Sequence, residues 1–348
     1  MASAKVIKMT KISKHIQIVR TDRAGAGGMS KSTQDKVFAV LTKRYSKVGI
    51  SIINTLKDLD TLADLSPDLV FLGASKLKLD LDGGPEGRVV WLSEFLDQKG
   101  IRYTGSNMTA MDINNDKVLA KQAIADAGLP TSAHFTAIPG EYGPNDNLDI
   151  LYPLFIKPIS SGGSKGIDEL SVAHNFDDFS SKVESIFNVF GTRALVESFL
   201  QGREYSVAIL GFGAEASAMP IEILTDKNAK GDRILCHDVK KEDTERVVKV
   251  VDPILRARIA ALSLTMFRVL GGRDYGRIDL RMDSAGKIYF LEANLAPGLG
   301  GGYFTRACSL NGGLEYADTI LAIAELGLAH RCSTKIADSL APIRVNQD

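Results

Sequence analysis

The sequence predicts an α/β protein built from more than one domain. Three observations carry that expectation. At 348 residues the chain is too long for one small core, and domains of roughly 100–150 residues would make it two or three. Its first third alternates short apolar runs with helically spaced ones, the βαβ rhythm of a parallel open sheet. Its last third carries apolar strands that end in a two-stranded ribbon, YGRIDLRMDSAGKIYFLEAN, with acids at the strand ends.

Taken in order, 15–19 reads as a short apolar strand, and the loop after it contains Gly25, Gly27 and Gly28. Residues 33–45 have helical spacing in Val37, Val40 and Leu41. Strands are expected at 50–55 and 69–72. The Gly83-Gly84-Pro85-Glu86-Gly87 loop is expected to open an amphipathic helix through Val90, Leu92, Phe95 and Leu96. Tyr103 to Ser106 ends a further strand. A long helix follows at 116–127, stopped by Gly128 and Pro130. Residues 139–148 are a polar, turn-rich loop. A buried strand at 154–158 runs into the loop Ser160-Ser161-Gly162-Gly163-Ser164-Lys165-Gly166. Helices are expected at 176–190 and 253–270, with strands at 194–197, 205–210 and 218–223. The charged stretch 225–246 has little apolar periodicity.

Composition narrows the function classes. Apolar content of 45% and charged content of 24% are those of an ordinary globular protein. With 42 basic and 42 acidic residues the net charge is zero, which gives no footprint for nucleic acid or an anionic membrane. Cys236, Cys308 and Cys332 are odd in number and form no CxxC, and the five histidines are scattered, so a structural zinc site is not expected. Free thiols fit a reducing cytoplasm. The N-terminal MASAKVIKMTKISKHIQIV is too polar for a signal peptide, and no apolar run approaches the roughly 20 residues that span a bilayer. A cytoplasmic enzyme of small molecules is the expectation.

The ribbon at 275–302 is the most informative stretch. Asp279 lies on its first strand, Glu292 and Asn294 on its second, and the turn is Asp283 to Gly286. Glu292 and Asn294 are two apart and share a face, as do Arg277 and Asp279. Carboxylate and amide oxygens without a soft ligand suit Mg²⁺ held between protein and phosphates. An acid closing an apolar strand needs a partner or a metal; a surface hairpin is the other reading.

Lys157 ends a strand and faces the glycine/serine loop, where backbone N–H groups can cradle anionic oxygens. The Walker A order is absent, and alone the loop reads more readily as a connector. Residues 195–200 form a strand leading to a linker, in which backbone can meet an adenine edge, Phe199 can cover its face and Glu204 can hold a ribose; a plain linker is the competing reading. Lys117 stands in the first helical turn, where the helix dipole does not favour a cation. It reads equally as an exposed lysine. Cys236 and His237 read as a surface pair rather than a dyad, since no third group is apparent.

Together, and in this order, these motifs resemble the ATP-grasp superfamily and within it the D-alanine–D-alanine ligases. The resemblance spans nearly the whole chain and is strongest at 103–130, 153–166, 195–210 and 275–298. It implies three α/β domains, here 1–110, 111–198 and 199–348, with an N-terminal parallel sheet and ATP between the other two. It implies phosphorylation of a carboxylate by ATP, then attack of an amine. Residue by residue it assigns Lys117, Lys157 and Ser164 to the phosphates. Glu197, Phe199 and Leu200 are assigned to the adenine hinge and Glu204 to the ribose. Asp279, Glu292 and Asn294 are assigned to two Mg²⁺ ions, for which Mn²⁺ can substitute. Arg277 and the Gly298 backbone are assigned to the oxyanion, and Lys240 or Lys241 to a phosphate-binding lid lysine. A homodimer is usual in that family.

The departures concern the amino-acid half. A glutamate that anchors the first substrate in the family is replaced by Ser32. The histidine-bearing segment is replaced by Leu72-Gly73-Ala74-Ser75-Lys76 and Gly84-Pro85-Glu86-Gly87, without histidine. A site serine is matched by Gly163. The serine that receives the acceptor carboxylate is matched by Tyr303, after Gly300, Gly301 and Gly302. The expected substrates are therefore not two D-alanines. Lys76, Lys78 and Arg88 are candidate cations for an acidic substrate, and the glycine run leaves space for a larger electrophile or lets Tyr303 swing in. One specific expectation is amino acid addition to a cyclohexenone-type mycosporine, through a vinylogous acid. A D-alanine–D-alanine ligase with divergent anchors and a non-catalytic ATP-binding module are the alternatives.

Overall fold

The structure is a computed structural model and describes residues 10–22, 28–79, 88–160 and 162–330. Gly25, Gly27, the 83–87 loop, Ser161, Cys332 and the extreme N-terminus lie outside the described residues, as does the side chain of Arg88. Among the described residues no helix is long and apolar enough to cross a membrane.

The first sheet is parallel. Ile12–Arg20 lies between Tyr45–Ile52 and Leu69–Leu72, and Tyr103 adds a parallel bridge to Val70. Side chains alternate across a strand, so Ile16, Ile18, Leu69 and Phe71 meet Val37 and Leu41 of the helix Lys31–Arg44. Val19 and Val70 point the other way, onto Leu59, Leu62, Leu92 and Leu96. Both faces are covered at Leu69–Leu72, which is why that strand is a continuous apolar run. The second strand begins at Tyr45, earlier than expected, because Lys47 to Ile52 pair in register with His15 to Arg20. The helix expected through Val90 starts only at Leu92. Arg88–Trp91 is instead a strand paired with Lys76–Leu79, a placement that suits its adjacent β-branched valines.

Two antiparallel sheets follow. In the first, Ala194–Ser198 lies between His134–Ala137 and Leu154–Pro158, with Val172–Ala173 at the edge. The helix Phe176–Phe190 covers it through Phe179, Val183 and Ile186. Asn175 caps the start of that helix and left-handed Gly191 its end. The second sheet has the order Arg246–Lys249, Ser217–Leu224, Glu204–Leu210, Tyr275–Met282, Ile288–Asn294. Tyr205, Val207 and Ile209 face the helix Pro253–Val269, whereas Ala208 faces the opposite core. In that core Phe304 and Ile320, from the helices Tyr303–Gly312 and Tyr316–Ala329, meet Ile18 and Phe71 of the parallel sheet.

The aperiodic stretch 225–246 is ordered by contact rather than by an apolar face. It holds the short helix His237–Glu242. His174 Nε2 lies 2.8 Å from Asp232 Oδ2, and Lys230 pairs with Asp178 at 3.0 Å. The backbone N–H of His237 donates to Ile167 at 3.1 Å. Cys236 is buried with Val172, Phe199 and Ile234, so it forms no surface pair with exposed His237.

Gly202 is where the turn after the hinge strand crosses the ribbon. Its N–H donates to Met282 O at 2.9 Å, and an added Cβ would stand 2.6 Å from Asp283 O and 2.7 Å from Met282 O. Both are backbone atoms that cannot rotate away. Gly202→Ala is expected to cost about 1–3 kcal/mol, read as a drop of several degrees in a thermal melt; an unchanged melting temperature would refute the close approach.

Candidate active site

The ribbon is positioned by its register. Arg277 is directly opposite Asn294 and Asp279 directly opposite Glu292, with a bulge just beyond. Four functional side chains therefore share one face of two adjacent strands. Arg277 grips Asp279 in a fork, Nε to Oδ1 at 2.9 Å and Nη2 to Oδ2 at 2.8 Å. Ser206, on the neighbouring strand, donates to Asp279 Oδ1 at 2.6 Å. Burial alone would lower the pKa of Arg277, but Asp279 outweighs it and raises it. Burial likewise opposes ionisation of Glu292, yet Lys157, Lys117, Lys240 and Arg277 together hold its carboxyl below the usual range.

Lys157 is aimed by a buried ionic network. Glu197 is 2% exposed and sits between two ammonium groups, Lys121 Nζ at 2.5 Å and Lys157 Nζ at 2.7 Å. Ser132 donates to Glu197 Oε1 at 2.9 Å, and Lys121 also donates to Ser132 and Thr131 at 2.9 and 3.1 Å. Burial would raise the pKa of Glu197; the lysines reverse that and hold it far below the carboxylate range. Lys117, first residue of the helix Lys117–Asp126, has its ammonium pKa lowered by burial and partly restored by Glu292. Asp116 caps that helix, accepting from Val118 and Leu119.

Two spaces meet at these charges. A narrow slot of about 60 Å³ is lined by Phe155, Lys157, Ser164, Phe199, Leu200, Glu204 and Arg281, among others. Phe155 and Phe199 stack there at 6.2 Å and 15°, and Arg281 pairs with Glu204 at 3.0 Å. Burial raises the pKa of Glu204, against the pull of Arg281. Beside the slot is a cavity of about 940 Å³. It opens at the carboxyl ends of the parallel strands, the usual ligand site of open α/β sheets. Gly28 to Ser30 and Leu72 to Ser75 wall one side, and Glu292 to Tyr303 the other. Lys240 and Glu292 line both spaces.

The anticipated residues divide accordingly. Lys117, Lys157, Ser164, Phe199, Leu200, Glu204, Asp279, Glu292, Asn294, Arg277, Lys240, Gly298, Gly301, Gly302 and Tyr303 all border the slot or the cavity. Glu197 borders the slot as well, but its backbone is paired on both sides, to His134 and Phe155, and its carboxylate is spent on the lysines. Lys241 is exposed and borders neither space, which separates it from Lys240. Ser32 is exposed, one residue out of phase: Ser30 and Thr33 line the cavity in its place. Lys76 is turned onto the Trp91 ring at 5.5 Å, and Lys78 is exposed. Neither borders the cavity. Tyr303 is buried, its hydroxyl donates to Glu245 Oε1 at 2.5 Å, and Lys240 and Arg277 each lie 5.7 Å from its ring.

Lys121, Arg281, Ser206 and Glu245 were not anticipated. Lys121 repeats Lys117 one helical turn later, a spacing that could have flagged it. The others depend on strand register or on a loop contact.

The oxygen set suits Mg²⁺ chemically. Asp279, Glu292 and Asn294 present hard donors on one face, but among the described residues no three acidic, histidine or cysteine side chains cluster tightly enough to cage a metal alone.

This fold and site define an ATP-grasp protein. A solved D-alanine–D-alanine ligase from Bacillus anthracis, complexed with ATP, superposes with a TM-score of 0.67 at 22% identity, over 91% of this chain and 98% of that one. The family model for the D-Ala–D-Ala ligase C-terminus matches residues 124–325. The Alcanivorax borkumensis D-alanine–D-alanine ligase is 31% identical over 279 residues, 79% of this chain and 83% of that protein. An uncharacterized protein of Sinorhizobium fredii, y4sG, is 28% identical over 78% of this chain and 80% of its own. The chain belongs to the D-alanine–D-alanine ligase family.

Removing the charge of Glu197 leaves two buried ammonium groups uncompensated, so Glu197→Gln is expected to cost about 3–5 kcal/mol. Because the folded pKa of Glu197 is depressed, its contribution is complete above the unfolded value of about 4.3 and fades as pH falls below it. The urea-midpoint gap between wild type and E197Q should hold from pH 8 to 5 and narrow below pH ~4.3. A gap that widens on acidification would contradict this assignment.

Proposed function

We propose that the protein is an ATP-dependent, ADP-forming carbon–nitrogen ligase, which activates a carboxylate or vinylogous acid and joins it to the amine of an amino acid. The observation that carries this reading is the convergence of Lys117, Lys157, Lys240 and Arg277 around Glu292, where the slot meets the cavity. A polyphosphate lying from slot to cavity would meet these cations along its length. Phosphoryl transfer depends mainly on such positioning and charge neutralisation.

Phe199 and Leu200 would enclose the base and Glu204 would meet the ribose. Lys117, Lys157 and the Ser164 loop would hold phosphates, with Lys240 closing over them. Asp279, Glu292 and Asn294 would hold Mg²⁺, which when bound offsets phosphate charge as a Lewis acid. The substrate oxygen takes the terminal phosphoryl group from ATP, releasing ADP. The amine nitrogen then bonds to the activated carbon, phosphate leaves, and nitrogen loses a proton. Arg277 and the Gly298 backbone are placed to stabilise the oxyanion between these steps.

The substrates divide two readings. Relatives named D-alanine–D-alanine ligase support cell-wall dipeptide synthesis. Exposure of Ser32 outside the cavity, and Tyr303 within it, support a non-standard acid partner in specialised metabolism, such as a cyclohexenone mycosporine. An ADP-release screen separates them: turnover with D-alanine alone selects the first, and turnover only with a second, non-amino-acid substrate selects the other.

In that assay Asp279→Ala and Glu292→Ala are each expected to abolish ADP release; retained turnover would refute the metal assignment. Lys240→Met should lower kcat/KM at least about 100-fold, while Lys241→Met stays within about twofold, as surface substitutions generally do. Equal losses would remove Lys240 from the site.

A further inference from the structure

The charged row on the ribbon does not end at the metal acids. Arg277, Asp279 and Arg281 alternate along one strand and share its face. On the neighbouring strand Glu204–Leu210, Ser206 lies directly opposite Asp279 and Glu204 directly opposite Arg281. Glu204 has a part in the proposed reaction; Arg281 has none.

Arg281 is 6% exposed and borders the slot. Its guanidinium is held on three sides. Nη1 donates to Glu204 Oε2 at 3.0 Å, Nη2 donates to the carbonyl of Arg233 at 2.6 Å, and the Phe199 ring lies 5.1 Å away. Its Nε is enclosed and has no partner among the described residues. An enclosed donor with nothing to meet is costly, and apolar packing of similar volume often serves a buried position as well as an ion pair does. Stability is therefore a poor account of an arginine at this place.

Its effect on Glu204 is a better one. Arg281 occupies one carboxylate oxygen, and the other, Oε1, accepts from no described residue. That oxygen is not enclosed: Glu204 borders the slot, and 16% of its side chain is accessible. Gripping one oxygen fixes the direction of the other before a ligand arrives. A carboxylate is an acceptor only, so its complement is a donor such as a hydroxyl. The slot runs from the stacked rings of Phe155 and Phe199 to Lys157, so a nucleoside with its base at the rings and its phosphates at the lysine would bring its sugar between them.

We propose that Arg281 is a positioning residue for nucleotide selection: by fixing Glu204 it presents Oε1 to a ribose hydroxyl, and so sets a preference for ribonucleotide over deoxyribonucleotide. The proposal rests on the reading of the slot as the nucleotide site.

The test is calorimetric binding of ATP, 2′-deoxy-ATP and 3′-deoxy-ATP, each with Mg²⁺, to full-length wild type, Arg281→Met, Arg281→Lys, Glu204→Gln and the R281M/E204Q double variant. Expected in wild type is a preference for ATP over at least one deoxynucleotide of about 10- to 100-fold, the worth of a hydrogen bond to a charged group. R281M and E204Q should each bring that preference to within about threefold, and the double variant no lower, because the two residues act as one unit. R281K keeps the charge without the planar fork; it should fall between wild type and R281M, and it decides the matter if R281M does not fold. A wild-type preference retained in either folded arginine variant overturns the proposal. Equal losses for all three nucleotides in R281M would assign Arg281 to the shape of the slot alone and also overturn it. A wild type that binds ATP without preference removes the ribose contact and the proposal, and leaves the nucleotide site standing. A wild type that binds no ATP removes the nucleotide reading, and the proposal with it.

Discussion

Glu197 and its two lysines are the interaction on which the site depends. The carboxylate comes from a strand between two others, Lys157 from one of those neighbours, and Lys121 from the helix that begins with Lys117. None of the three charges can be buried alone, because an isolated buried ion costs several kcal/mol even after relaxation. Together, with Ser132 and Thr131 filling the remaining valences, they lock helix, strand and hinge into one arrangement. As a device for stability alone such a network is poor, since apolar packing of equal volume is often as good. Its position beneath the slot explains it better: it fixes Lys157 where slot and cavity join.

The second constraint is the ribbon register. Placing Asp279 opposite Glu292 and Arg277 opposite Asn294 sets acids beside cations at separations fixed by the sheet. A slip of one residue in either strand would send that strand's pair to the apolar face packed against the helix Pro253–Val269. Ser206 and the Arg277 fork hold Asp279 from one side, and lysines from other elements surround Glu292. The balance favours a polyanion at the junction. In the narrow slot Arg281 satisfies Glu204 in the same way.

On the cavity side the structure is built from different materials. Gly300 approaches the first helix so closely that a Cβ there would lie 2.9 Å from Thr33 Oγ1, which brings the parallel sheet and the ribbon together over the substrate space. Tyr303 then fills part of that space, held by Glu245 and flanked by Lys240 and Arg277. The charged face and the glycine-rich turn thus occupy the two strands and the following segment of one ribbon. The second can diverge without disturbing the first.

Local regularities were readable from the chain alone. The strands at 15–19 and 69–72 were legible as short apolar runs, and the helix Phe176–Phe190 to its last residue and the shared faces of Arg277 with Asp279 and of Glu292 with Asn294 follow from periods of 3.6 and 2 residues. The ordered set of motifs likewise sufficed for the family. Only the tertiary structure decided that the Glu197 carboxylate meets Lys121 and Lys157, that Lys240 and not Lys241 borders the cavity, that Ser32 is exposed while Thr33 lines the cavity, and that Glu245 meets Tyr303. The reason is physical. A side chain's direction within one element is set by its own backbone, but its partner across a sheet, lid or cavity is set by segments far away in sequence. The charged stretch 225–246 has no apolar face to announce a structure, and its contacts with the glycine loop and with Asp178 exist only once the sheets have packed.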